Sequence, residues 1–124
     1  MERNKELIER TMQHIVNHPE EHDQATWIGN LTCGTVACFA GWALMLDGVS
    51  AEDILNWSHA APRYSLVGSR VREVATEHLG LTIDEAGRLF QASNTRDMLQ
   101  LMVKDLINGK ELRQTSQYEE EARG

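Results

Sequence analysis

Residues 33–46 read CGTVACFAGWALML, and the fold turns on this stretch. Large side chains at Val36, Phe39, Trp42, Leu44, Met45 and Leu46 alternate with small ones at Gly34, Ala37, Ala40, Gly41 and Ala43. The spacing predicts one helix over about 33–46, apolar nearly all round. A helix without a polar face has no solvent side, so it belongs at the centre of a domain. Its small residues let neighbouring helices approach closely, which offsets the poor helix propensity of glycine. Thr32 is its expected cap and Asp47-Gly48 its stop.

Working outward, no residue from Gln24 to Leu46 is charged, a run of 23 positions. Gly29-Asn30 and Thr32 interrupt its first part, and only Val36 to Leu46 is dense in apolar side chains, about half a bilayer span. The flanking residues are Asp23 and Asp47 rather than the Lys or Arg that orient a span. No membrane helix is expected. The N-terminus, MERNKELIER, has no apolar core and does not read as a signal peptide. Cys33 and Cys38 are five residues apart, a poor disulfide geometry on one helix, and two free thiols fit a reducing cytoplasm.

The remaining elements carry helical punctuation. Leu7, Ile8, Thr11, Met12, Ile15 and Val16 make one face of a first helix from about Glu2 to Val16, and Pro19 opens a short turn after it. Ser50 and Asp53 resemble a capping box, and Ser58 to Ser65 is the longest expected loop. A helix over about 66–78 ends at Gly80. Thr82 with Glu85 is the clearest capping box, starting a helix to about Ala92. Ser93-Asn94-Thr95 leads into a helix over Arg96–Ile107, and Asn108-Gly109 ends it. The expectation is an all-α single domain over 1–109, a compact bundle of about six short helices around the 33–46 helix. Residues 110–124 are expected to be a polar, frayed tail.

Charge sets bounds on function. The 124 residues carry a net −7, with 12 Lys and Arg against 19 Asp and Glu. Residues 1–62 hold nine acids and three bases, whereas the second half is nearly balanced. This argues against a broad nucleic-acid face, which needs bases to meet phosphates.

Three constellations carry possible chemistry. Cys33, at the expected helix start, sits where partial positive charge favours a thiolate. With Gln24 upstream and His59 and His78 downstream, Cys-Gly-Thr-x-x-Cys resembles papain-type enzymes, but the spacing differs and no Trp follows the second cysteine. His18-Pro19-Glu20-Glu21-His22 matches H-x-x-E-H, the pattern of one class of zinc peptidases, which makes His18 and His22 the candidate metal ligands. Pro19 breaks the helical spacing between them. No metal or other cofactor is assigned. Residues 82–107 resemble the helix-turn-helix of small phage regulators, although Gln91 stands where that family prefers glycine at the turn.

The order of motifs as a whole gives a wider resemblance. His18-Pro19-Glu20, Asp23-Gln24, Trp27, Cys33-Gly34-Thr35, Cys38, Ala40-Gly41-Trp42, Leu79-Gly80-Leu81, Glu85-Ala86 and Leu89-Phe90 follow one another. Over about residues 18–107 the chain resembles a group of small uncharacterised proteins of actinobacteria and their phages, which share a Cys-Gly-Thr-x-x-Cys-x-Ala-Gly signature. Members often carry histidine where this chain has Trp42. The resemblance implies a cytoplasmic, phage-encoded accessory protein and assigns no activity. The signature residues Asp23, Gln24, Trp27, Cys33, Gly34, Thr35, Cys38, Gly41 and Trp42 read as architecture. Trp27 is expected to pack over the Cys33 end of the central helix, and Asp23 or Gln24 to meet backbone donors at its start. The expected function is binding of a host macromolecule, a protein rather than nucleic acid. A cysteine-dependent enzyme using Cys33 and a DNA-binding regulator over 82–107 are the alternatives.

Overall fold

A computed structural model describes residues 2–24, 29–31, 34–60 and 70–123. The all-α bundle forms, and seven α-helices lie among these residues. In chain order they are α1 (Lys5–Asn17), α2 (Phe39–Leu46), α3 (Ala51–Ala60), α4 (Arg70–Leu79), α5 (Ile83–Leu89), α6 (Arg96–Ile107) and α7 (Thr115–Ala122). Two three-residue strands, β1 (Gly29–Leu31) and β2 (Gly34–Val36), pair antiparallel with Asn30 opposite Thr35.

The central helix is real but shorter than its sequence pattern. It begins at Phe39, not at Cys33, and Cys38 in extended geometry precedes it. Glycine is a poor helix former, and β-branched Thr35 and Val36 favour the pleated backbone that β2 adopts. Cys38 occupies the N-cap position of α2, and Thr32, the expected cap, lies with Cys33 outside the described residues. From Phe39 to Leu44 every residue of α2 is buried, and only Met45 and Leu46 reach part way to solvent. α2 packs mainly on α1 and α4, while α6 packs on α1 and α7. α2 has eight residues, and no helix among the described residues is long and apolar enough to cross a membrane.

Caps fix where the helices start. Asn4 Oδ1 accepts from the Leu7 amide at 3.2 Å, and Asn4 Nδ2 donates to the His78 carbonyl at 3.1 Å, tying the first turn of α1 to the end of α4. Gly80, at φ +66°, makes that junction possible: a Cβ there would overlap the Glu2 carbonyl oxygen and press on Arg3 Cα. The capping box of α5 is complete, with Glu85 N–H donating to Thr82 Oγ1 at 3.1 Å and Thr82 N–H to Glu85 Oε1 at 3.0 Å. Thr95 Oγ1 accepts from the Met98 amide at 3.2 Å and starts α6.

The expected frayed tail is corrected. Residues 115–122 form α7, which packs along α6 with Tyr118 fully buried. The Tyr118 hydroxyl donates to Asp105 Oδ2 at 2.7 Å and accepts from the Arg113 amide at 3.0 Å. Leu112 is buried beside it, and its carbonyl accepts from Arg88 Nη1 at 2.7 Å. One aromatic anchor and one leucine dock a segment whose other residues are nearly all polar.

Candidate functional site

The polar side chains of greatest interest lie where the end of α1, the following turn and the first residues of α2 meet. Pro19–Glu21 form one 3₁₀ turn directly after α1, with Pro19 at the first position, where its fixed φ suits a helix start. Two backbone hydrogen bonds run from this turn to the segment before α2: Ala37 N–H to the Glu21 carbonyl and Asp23 N–H to the Ala37 carbonyl, both at 3.0 Å. The Glu21 carbonyl accepts a second donor, the Trp42 indole Nε1–H, at 2.8 Å. Trp42 thus satisfies its one polar atom on the backbone of the turn and buries its ring in the core.

Gln24 is the hub on the other side. It is 8 % exposed and all of its polar capacity is engaged. Its Nε2 donates to the carbonyls of Leu89 at 2.9 Å and Gln91 at 3.3 Å, at the end of α5. Its Oε1 accepts from the Phe39 amide, the first of α2, at 3.2 Å and lies 2.9 Å from His22 Nε2. Because both Nε2 protons of Gln24 go to carbonyls, Oε1 is an acceptor only, and His22 Nε2 carries the proton in that bond. Burial is the largest influence on His22 and lowers its pKa, and the positive charge of Arg96 acts in the same direction.

Beside Gln24 a polar cleft of about 370 Å³ opens, lined by His22, Asp23, Gln24 and residues 94–97. Asn94, itself buried, donates from Nδ2 to the carbonyls of Arg88 at 2.7 Å and Leu89 at 3.1 Å, closing the end of α5. Its signal in the sequence was its place next to the Thr95 cap, which marks the turn but not the burial.

The histidines divide differently from the H-x-x-E-H reading. His22 faces Gln24 and does not pair with His18. His18 instead joins His14, one turn back on α1, with ring centroids 4.7 Å apart. The His18 amide still donates to the His14 carbonyl, so helical spacing persists through the C-cap. His14 also lies over Trp42, centroids 4.2 Å apart, and its Nε2 is 3.1 Å from Glu21 Oε1. His18 Nδ1 is 3.7 Å from Glu21 Oε2 and 3.8 Å from Glu20 Oε1.

Of the two cysteines, Cys38 is 1 % exposed, and burial pushes its thiol up to about 11, only partly offset by the Gly41 and Ala40 amides. Such a thiol is not a nucleophile at neutral pH. Gly34 and Thr35 lie in β2, and Gly41 is buried in α2. Cys33 and Trp27 lie outside the described residues, as does the expected packing between them. No family model, no curated protein and no solved structure matches the chain.

Proposed function

We propose that the chain is a small cytoplasmic accessory protein, of the kind implied by the actinobacterial and actinophage resemblance, that acts by binding a host protein. The observation that carries this reading is a groove of about 360 Å³ between α1 and α6. Val16 is 40 % exposed there, with part-exposed Ile107 opposite and the buried Met12 and Val103 between, while Glu9, Gln13, Gln100 and Lys104 rim it. An apolar strip with a polar rim is the surface composition that protein partners use.

The DNA-regulator alternative has less support. A recognition helix needs one free polar face to enter a groove and few obligations elsewhere. α6 buries Met98, Leu99, Met102, Val103 and Leu106 between α1 and α7, and its exposed residues include Asp97 beside Arg96. No non-glycine residue among those described has positive φ, so the turn before α6 lacks the left-handed residue of that motif.

The test is affinity capture with the full chain and with Val16→Glu, followed by calorimetric titration of any captured protein after purification. The expected result is a one-to-one complex that Val16→Glu weakens by at least about tenfold. The reading is overturned if no protein shows that dependence, and a salt-sensitive gel shift with DNA would replace it with the regulator.

A further inference from the structure

We propose that His18, Glu20 and Glu21 form a binding site for a divalent transition-metal ion of the zinc class. Their ligand atoms, one from each residue, all lie within 4.8 Å of one another. An ion bound at about 2.0–2.2 Å by imidazole nitrogen and carboxylate oxygen in tetrahedral geometry holds its ligands roughly 3.3–3.6 Å apart. The His18–Glu21 and His18–Glu20 separations of 3.7 and 3.8 Å need only small side-chain adjustments to reach this. One imidazole and two carboxylates favour zinc-class ions, whereas magnesium and calcium select oxygen alone.

Two features distinguish this group from an ordinary charged surface turn. The backbone that presents it is tied down on three sides. The Glu21 carbonyl is held by Ala37 and by Trp42 of α2, the Pro19 carbonyl accepts from Arg96 of α6 at 3.4 Å, and the His18 amide is still bonded into α1. A metal site on such a frame loses little freedom on binding. The Glu21 carboxylate is also already oriented. His14 Nε2 contacts Oε1, which leaves Oε2 turned toward His18, and His14 is itself placed against Trp42. That is the arrangement in which a neighbouring group orients a ligand without touching the ion. His14 is therefore a positioning residue, and three protein ligands leave a fourth position open to water or another ligand. His22, which the sequence pattern paired with His18, takes no part.

The test uses tag-free protein titrated with zinc alone, by calorimetry and by competition with a chromophoric chelator, with cobalt as the spectroscopic substitute. One ion per chain is expected, with visible cobalt bands of a low-coordinate nitrogen and oxygen site. His18→Ala and Glu21→Gln, both on accessible side chains, should weaken binding at least about tenfold, while His22→Gln and His78→Gln should leave it unchanged. Far-UV circular dichroism confirms that each variant is folded. His14→Gln should weaken zinc and shift the cobalt bands, the signature of a reoriented carboxylate. Absence of zinc binding, binding that survives His18→Ala with Glu21→Gln, or a cobalt–thiolate band in the near ultraviolet would each overturn the assignment.

Discussion

At the scale of single residues, the molecule spends much of its uncommon chemistry on holding backbone. Gln24 bonds the first amide of α2 and two carbonyls at the end of α5, so one side chain joins three segments that are far apart in sequence. Cys38 shows the same economy at the position immediately before α2. A cysteine near a helix start favours its thiolate when water can reach it, but enclosure reverses the balance, because the charged form loses its solvation. With its thiol pushed up to about 11, Cys38 should resist maleimide or disulfide reagents at pH 8 in the native protein and react only at the rate of unfolding. Labelling kinetics followed by mass spectrometry of the Cys38 peptide, with and without denaturant, check this. Prompt labelling in the native state would contradict the burial of the sulfur.

At the scale of elements, α7 contributes one fully buried side chain, Tyr118, to the core. Tyr118 occupies the core with its ring and bonds Asp105 and the Arg113 amide with its hydroxyl. Replacing it with Phe keeps the ring, takes the acceptor from the Arg113 amide and leaves Asp105 Oδ2 with Arg113 Nε at 3.4 Å, for an expected loss of about 1.5–3 kcal/mol, since one of the lost bonds is to a carboxylate. Tyr118→Ala also empties a core site and should cost about 3–5 kcal/mol. Chemical denaturation measures both, and equal midpoints for wild type and Tyr118→Phe would show that the hydroxyl contributes nothing. This element was illegible in the sequence because Leu112 and Tyr118 are too few to make a periodic stripe, and polarity alone reads as fraying. The converse holds at 34–38, where an uncharged run satisfies helix and buried strand alike. Capped starts such as Thr82–Glu85 and Thr95 were legible because a cap is a local event between residues three apart. The candidate metal site was half legible. His14 and His18 stand four apart in the sequence, but Pro19 reads as placing His18 at or before a new helix start, whereas His18 is the C-cap of α1 and stays beside His14.

At the scale of the whole molecule, the bundle closes on itself through its N-terminus. Arg3 pairs with Glu85 of the α5 capping box, its Nε 3.1 Å from Glu85 Oε2, and its Nη1 donates to the Leu106 carbonyl at the end of α6 at 3.0 Å. The Asn4 amide adds a bond to the Leu79 carbonyl of α4 at 2.8 Å. Three helices distant in sequence are thereby fastened to residues 3–4, although the net charge is −7 and much of the acid lies near that end. Burial on its own would raise the Glu85 carboxyl, but the Thr82 amide and the Arg3 guanidinium together outweigh it and hold the group below its ordinary range. The sign of the pH dependence follows. The unfolded chain binds the proton more readily, so this contribution to stability is complete above the usual carboxylate range and disappears as pH falls through the lowered folded value. Thermal unfolding between pH 7 and pH 3 should show a steeper acid decline for wild type than for Glu85→Gln, in which that titration is absent. Arg3→Met should move the decline toward that of Glu85→Gln by releasing the carboxylate from its cation. Parallel profiles for all three proteins would mean that Arg3 and Glu85 do not couple the N-terminus to the bundle, and that the acidic chain is closed by its apolar contacts alone.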